Sequence, residues 1–221
     1  MSKIIPVISL FLFVALVNDA QSLSMDKSSV TTRDGFFRRA VGTSSVFFSV
    51  GGAFKPRSVH ANDLIPPKGS RAPAFELPNS RGEGLTSLDT LTKDGKWTVL
   101  YFYPGAFTSG CTLEARNFQK DIESYRKLNA KIVGVSVDPV EKNAQFCSTE
   151  SLEFYMLSDK SGIVSTAYGS ALSVPGFGTF SNRQTYLIDP KGFLRWVFTD
   201  VEQRIPSHSS EVLSKLTEFS A

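Results

Sequence analysis

The chain has 221 residues, 41% of them hydrophobic and 20% charged, an ordinary globular composition that excludes a disordered or fibrous chain. The net charge of +3 is unevenly placed: residues 1–61 hold seven basic and three acidic side chains, leaving 17 basic and 18 acidic to residues 62–221. That balance excludes a general electrostatic footprint for nucleic acid. With two Cys and two His in the chain, and His60 in the leader, the body lacks the ligands for a structural zinc site.

In chain order, the 14-residue apolar run Ile4–Val17 follows Lys3 and is shorter than the roughly 18–20 residues of a membrane-spanning helix. With the small residues behind it, it reads as a secretory-type signal peptide. Thr31-Thr32-Arg33 to Arg38-Arg39 is basic and hydroxyl-rich, and a weakly apolar stretch from Ala40 to Ala53 leads to Val59-His60-Ala61. That small-x-small site suits a signal peptidase, and Arg38-Arg39 looks like a twin-arginine signal. Residues 1–61 are therefore expected to be a multipart targeting leader to a plastid, with the thylakoid lumen as its destination. A secretory signal followed by a linker is the alternative. No later apolar run is long enough to span a membrane, so residues 62–221 are expected to be one soluble domain without stable membrane insertion.

Within that body, Pro66-Pro67 prevents regular structure across Asp63–Ser70. Short strands are expected at Ala74–Leu77 and within Gly82–Leu88. Thr98–Tyr103 is a continuous apolar and β-branched run, the pattern of a central strand covered on both faces. Leu113, Phe118, Ile122, Tyr125 and Leu128 recur near the helical period, which predicts one amphipathic helix from Cys111 to about Asn129. Ile132–Val137 predicts a second buried strand, Val140–Glu150 a helix, Phe154–Leu157 a third strand and Ser161–Tyr168 a short helix. Pro175–Gly178 reads as a flexible loop without a dinucleotide fingerprint. Gln184–Ile188 and Leu194–Phe198 flank Asp189-Pro190-Lys191-Gly192 as a hairpin, and Glu211–Ser220 closes the chain as a helix. This order predicts an α/β domain with a central mixed β-sheet flanked by helices.

Chemistry concentrates in Phe102-Tyr103-Pro104-Gly105-Ala106-Phe107-Thr108-Ser109-Gly110-Cys111-Thr112-Leu113-Glu114-Ala115. A buried strand leads into a tight loop, and Cys111 falls in the first turn of the next helix. Free N–H groups and the helix dipole there favour a thiolate, the nucleophilic form. Thr108 can present its hydroxyl as a helix cap or to a substrate oxygen, and Pro104 can shield the loop from water. An inert buried cysteine opening a helix fits the same local sequence. The two cysteines fit a structural disulfide, a redox couple or two free thiols, and counting does not choose among them. His208 stands alone in a Ser-rich stretch. The lack of C-x-x-C argues against a general disulfide oxidoreductase.

The pattern Pro104-x-x-x-Thr108-x-x-Cys111 resembles the active-site motif of the peroxiredoxins, thiol peroxidases on a thioredoxin-like fold. Gly110-Cys111-Thr112-x-Glu114-Ala115, Leu157-Ser158-Asp159 and Arg183-Gln184-Thr185-Tyr186-Leu187-Ile188-Asp189-x-x-Gly192 are similar to the Q-type, bacterioferritin-comigratory branch. The resemblance runs from about Lys68 to the end of the chain. It implies reduction of hydrogen peroxide and alkyl hydroperoxides by a peroxidatic Cys111. In that reading Thr108 and backbone N–H groups hold the peroxide oxygen, Pro104 shields the site, and Arg183 stabilises negative charge. No cofactor or metal is implied. Two departures stand out: Ser109 occupies a position usually held by Pro, and Arg116 occupies the position of the branch's commonest resolving cysteine. A subset of the branch carries its resolving cysteine on the next helix, where Cys147 lies. The resemblance then implies a Cys111–Cys147 disulfide reduced by a thioredoxin-like donor, in a monomer. The alternatives are a Cys147 that only packs and, for the whole chain, a thioredoxin-fold redox sensor or holdase. Phe107, Phe177 and Phe180 are candidates for an apolar collar around the site, or for core aromatics.

Overall fold

A computed structural model of the chain describes residues 65–220. The expected leader, residues 1–61, lies outside the described residues. In chain order the elements are β1 (Glu76–Pro78), β2 (Leu85–Ser87), α1 (Leu88–Thr92), β3 (Trp97–Phe102), α2 (Ser109–Lys120), α3 (Ile122–Lys127), β4 (Ala130–Ser136) and α4 (Val140–Thr149). They continue with β5 (Tyr155–Ser158), α5 (Ile163–Ala167), β6 (Ala171–Val174), β7 (Gly178–Ser181), β8 (Gln184–Ile188), β9 (Leu194–Phe198) and α6 (Ile205–Ser220), the last preceded by a 3-10 turn at Val201–Arg204.

The main sheet has five strands in the order β5-β4-β3-β8-β9. β3 pairs in parallel with β4, and β4 with β5, while β8 runs antiparallel to both β3 and β9. Side chains alternate across a strand, so the run in β3 feeds two cores. Val99, Tyr101 and then Tyr103 face a cluster with Cys111, Ala115, Phe118, Phe146, Met156, Val212 and Leu216. Leu100 and Phe102 face a second cluster with Leu77, Leu91, Val135, Leu157, Tyr168 and Tyr186. This is the expected α/β, thioredoxin-like architecture, with β3 buried on both faces because helices cover both sides of the sheet.

Three expectations are corrected. The single helix from Cys111 to Asn129 is two helices, α2 and α3, parted at Asp121 (φ −96°, ψ 8°), whose carboxylate accepts a hydrogen bond from Ser209 Oγ of α6 at 2.7 Å. Phe118 and Tyr125, both wholly buried, lie in the same core cluster on either side of the break, and the Tyr125 hydroxyl donates to the Ser209 carbonyl at 2.8 Å. The closing helix begins at Ile205 rather than Glu211. Pro206 is tolerated in its first turn, and the extra turns bury Ile205, His208 and Ser209. The segment expected to be a loop at Pro175–Gly178 is the turn of a hairpin between β6 and β7, with positive φ at Gly176 and Gly178.

Candidate active site

β3 ends at Phe102, and the chain turns through Tyr103-Pro104-Gly105-Ala106-Phe107 before α2 begins. Two anchors hold this loop. The Ala106 N–H donates to Asp138 Oδ2 at 2.6 Å just beyond β4, and Asp138 is in turn paired with Lys142 at 2.6 Å and accepts from Ser136 Oγ at 3.2 Å. Beneath it, the Tyr103 hydroxyl donates to Asn143 Oδ1 of α4 at 2.7 Å. Phe107 occupies left-handed backbone (φ 68°), a conformation that costs a bulky residue about 1–3 kcal/mol. Its ring meets Phe146 edge to face at 5.2 Å, a contact that offsets part of that cost.

Thr108 is the residue before α2, as its position in the sequence suggests, but its hydroxyl does not cap the helix. It donates instead to the Gly105 carbonyl at 3.2 Å. The first intrahelical bond runs from Thr112 N–H to Thr108 O, so the N–H groups of Ser109, Gly110 and Cys111 precede the helical ladder. Cys111 sits in this first turn and is only 1% exposed. Pro104 is partly buried within the loop.

Arg183, immediately before β8, reaches Cys111 across the sheet. Its Nη2 donates to Cys111 Sγ at 3.4 Å, Nη1 pairs with Glu114 Oε2 at 2.5 Å, and Nε pairs with Glu202 Oε2 at 2.8 Å. The guanidinium is 3% exposed. Burial opposes its charge, but Glu114, Cys111 and Glu202 outweigh burial and hold it above the ordinary guanidinium range. Burial pushes the Glu114 carboxyl up to about 7, with Arg183 opposing and Glu202 adding to the rise. Glu114 Oε1 takes no hydrogen bond from the described residues and lies 3.9 Å from His208 Nε2. Burial, and then the charges of Arg204 and Arg183, lower His208 to about 3. It is a neutral core histidine, sharing a hydrogen bond with Thr185 Oγ1 at 2.8 Å and packed edge-on against Phe118 and Phe198.

The structure therefore joins Arg183 to Cys111, with Thr108 at the start of the same helix and Pro104 in the loop that leads to it. Cys147 is half-buried near the end of α4, packed against the core cluster that contains Cys111, with Sγ 3.4 Å from Ser80 Oγ. Burial raises its thiol above the ordinary range, and the Ser80 hydrogen bond opposes the rise. Both cysteines are free thiols. Of the aromatic residues considered for a collar, Phe107 belongs to the active-site loop, while Phe177 and Phe180 lie on the β6–β7 hairpin, Phe177 79% exposed.

Sequence reasoning passed over Glu202 and Asp138, and took Glu114 only as part of a motif. Glu114 was detectable as a carboxylate on the apolar stripe of Cys111, Ala115 and Phe118. Glu202 carries no local signal, since its partner is fixed only by the chain's return after β9.

The AhpC/TSA family model matches residues 68–197. Peroxiredoxin Q, chloroplastic, of Triticum aestivum is 36% identical over 134 residues, which span 60% of this chain and 59% of that protein. A bcp peroxiredoxin of Coxiella burnetii is 37% identical over 151 residues, 67% of this chain and 97% of its own length. Among solved structures, peroxidoxin BcpB from Mycobacterium tuberculosis superposes with a TM-score of 0.64 at 31% identity, over 68% of this chain and 96% of that one. A matching family model over more than half the chain, with the Cys111–Arg183 site inside the matched segment, places the chain in the AhpC/TSA family, among homologues of the Q/Bcp peroxiredoxins.

Proposed function

We propose that the chain is a thiol peroxidase in which Cys111 reduces hydrogen peroxide and alkyl hydroperoxides. The observation that carries this reading is the contact of Arg183 Nη2 with Cys111 Sγ in the first turn of α2. A permanent cation and the helix N-terminus there stabilise negative charge on sulfur. The thiolate attacks the terminal peroxide oxygen, the O–O bond breaks, and the departing alkoxide takes a proton, leaving Cys111 sulfenic acid and an alcohol or water. Arg183 and the free N–H groups of α2 are placed to stabilise charge as that bond breaks. Thr108, with its hydroxyl now on Gly105, can rotate towards a bound peroxide.

In the second half of the cycle, Cys147 attacks the sulfenic acid, forming a disulfide and releasing water. A dithiol donor of the thioredoxin type then reduces that disulfide by exchange. Cys111 Sγ is bound by Arg183 and Cys147 Sγ by Ser80, so both sulfurs leave these partners, with the start of α2 or the end of α4 shifting or unwinding, to reach disulfide geometry. Solvent access at Cys147, against the burial of Cys111, supports Cys147 as the sulfur that meets the donor. A monomeric domain at residues 62–221, delivered to a plastid by residues 1–61, completes the reading. The chloroplastic wheat relative supports the compartment.

Intact mass of the reduced chain after one equivalent of hydrogen peroxide tests the chemistry. Loss of two hydrogens with no free thiol is expected, and Cys111→Ser should show no change. A gain of oxygen without disulfide would reduce Cys147 to a packing residue. An unchanged mass in the unsubstituted chain would overturn the peroxidase reading.

A further inference from the structure

Arg183 is held between two carboxylates of opposite surroundings. Glu114 is buried and binds it from within α2, whereas the Glu202 side chain is 68% exposed and binds it from the solvent side, on the 3-10 turn before α6. Glu202 also overhangs the first turn of α2. A Cβ added at Gly110, the residue before Cys111, would come 3.1 Å from Arg183 Nη2, 3.1 Å from Ile205 Cδ1 and 3.7 Å from Glu202 Oε1. An exposed negative charge thus stands at the helix turn that holds the reacting sulfur. Its partner Arg183 is shared with Glu114 and Cys111, while Lys142 of α4 is paired with Asp138 and Arg116 of α2 with Glu150.

From this placement we infer that Glu202 sets the charge selectivity of the site: it disfavours hydroperoxides that carry a carboxylate close to the O–O bond and leaves neutral peroxides unopposed. The inference rests on Cys111 being the peroxide-reducing thiol. Hydrogen peroxide and simple alkyl hydroperoxides bring no charge to the site and feel Glu202 only through its hold on Arg183. A substrate whose own carboxylate lies a few bonds from the peroxide must bring that charge beside Glu202 before the sulfur can attack. An interaction between exposed charges at this range is worth a factor of a few in rate and is weakened by salt. Glu202 is a specificity-determining residue in this account, acting on the approaching substrate and not on the breaking bond.

The test uses the full chain, reduced, with Cys111 thiol loss followed in a single turnover, so that no reductant enters the comparison. The probes are a short hydroperoxide with a carboxylate two or three carbons from the peroxide, and its methyl ester. In Glu202→Gln the ratio of the carboxylate rate to the ester rate should rise roughly three- to tenfold at low ionic strength, and this gain should shrink in about 0.5 M salt. Glu202→Lys should raise the ratio further. If both rates fall together and the ratio stays put, Glu202 merely tethers Arg183 and the inference is wrong. An unchanged ratio with unchanged rates overturns it equally. Absence of thiol loss in the unsubstituted chain with either probe and with hydrogen peroxide would instead sink the peroxidase reading, and the inference with it.

Discussion

At the scale of single residues, Arg183 is where the site's charges meet. One guanidinium satisfies Cys111, Glu114 and Glu202 with three different nitrogens, a fork that a lysine ammonium does not reproduce. Replacing Arg183 by Met removes both the charge and the donor on Sγ, and the second-order rate with hydrogen peroxide should fall about 10²–10³-fold. Arg183→Lys keeps a charge and should recover only part of that loss, a comparison read by single-turnover thiol loss. If Lys matches Arg, the geometry of the fork is irrelevant and charge alone matters. Phe107 shows a different residue-scale effect. No local rule favours Phe in left-handed backbone, so the conformation is imposed by the Asp138 anchor on Ala106 and by the ring of Phe146.

Between elements, the packing of α2 on α6 sets two buried titratable groups against each other. Glu114 is raised from 4.5 to about 7, so its contribution to stability is present below pH 4.5 and lost as the pH rises through 7. His208 is lowered from 6.5 to about 3, so the unfolded chain binds the extra proton between these values and stability rises with pH across that window. From pH 4.5 to 6.5 the two slopes oppose each other. In His208→Gln, stability measured by urea unfolding should therefore fall between pH 4.5 and 7, and in Glu114→Gln it should rise between pH 3 and 6.5. Parallel pH profiles in the two variants would show that neither group titrates as its surroundings dictate. The break between α2 and α3 belongs to this scale too. The apolar spacing across 111–129 reads as one helix because Asp121 leaves no mark on that spacing. The bend is held by the Ser209–Asp121 bond from a helix whose N-terminal half buries the polar residues His208 and Ser209, which leave no apolar pattern to read.

For the whole molecule, both core clusters and all five strands of the main sheet, among the described residues, are assembled within 65–220. The segment 62–221 expressed alone should therefore unfold cooperatively and oxidise Cys111 at a rate within about twofold of the full chain's. A tenfold loss would assign part of the working protein to residues 1–61. The two-sided burial of β3 explains how the site is carried. A strand locked on both faces fixes where the 103–108 loop begins, α2 packed on α6 fixes the helix turn that carries Cys111, and β8 delivers Arg183 from the antiparallel side.

What could be read in the chain by itself was whatever depends on near neighbours. A β-branched run gave the central strand, helical spacing gave most helices, and a Pro–Thr–Cys loop ahead of an amphipathic segment marked the reactive sulfur, because helix-terminus chemistry is local. Arg183 was legible only through resemblance, since 72 residues separate it from the thiol it touches. The rest needed the tertiary structure. Thr108 turned from helix cap to Gly105, Glu202 took the outer side of Arg183, His208 became a neutral core residue, and Cys147 settled against Ser80, all through contacts that sequence spacing does not encode. Local propensity decides which element forms, whereas the charge and accessibility of a side chain are decided by whatever the fold packs against it.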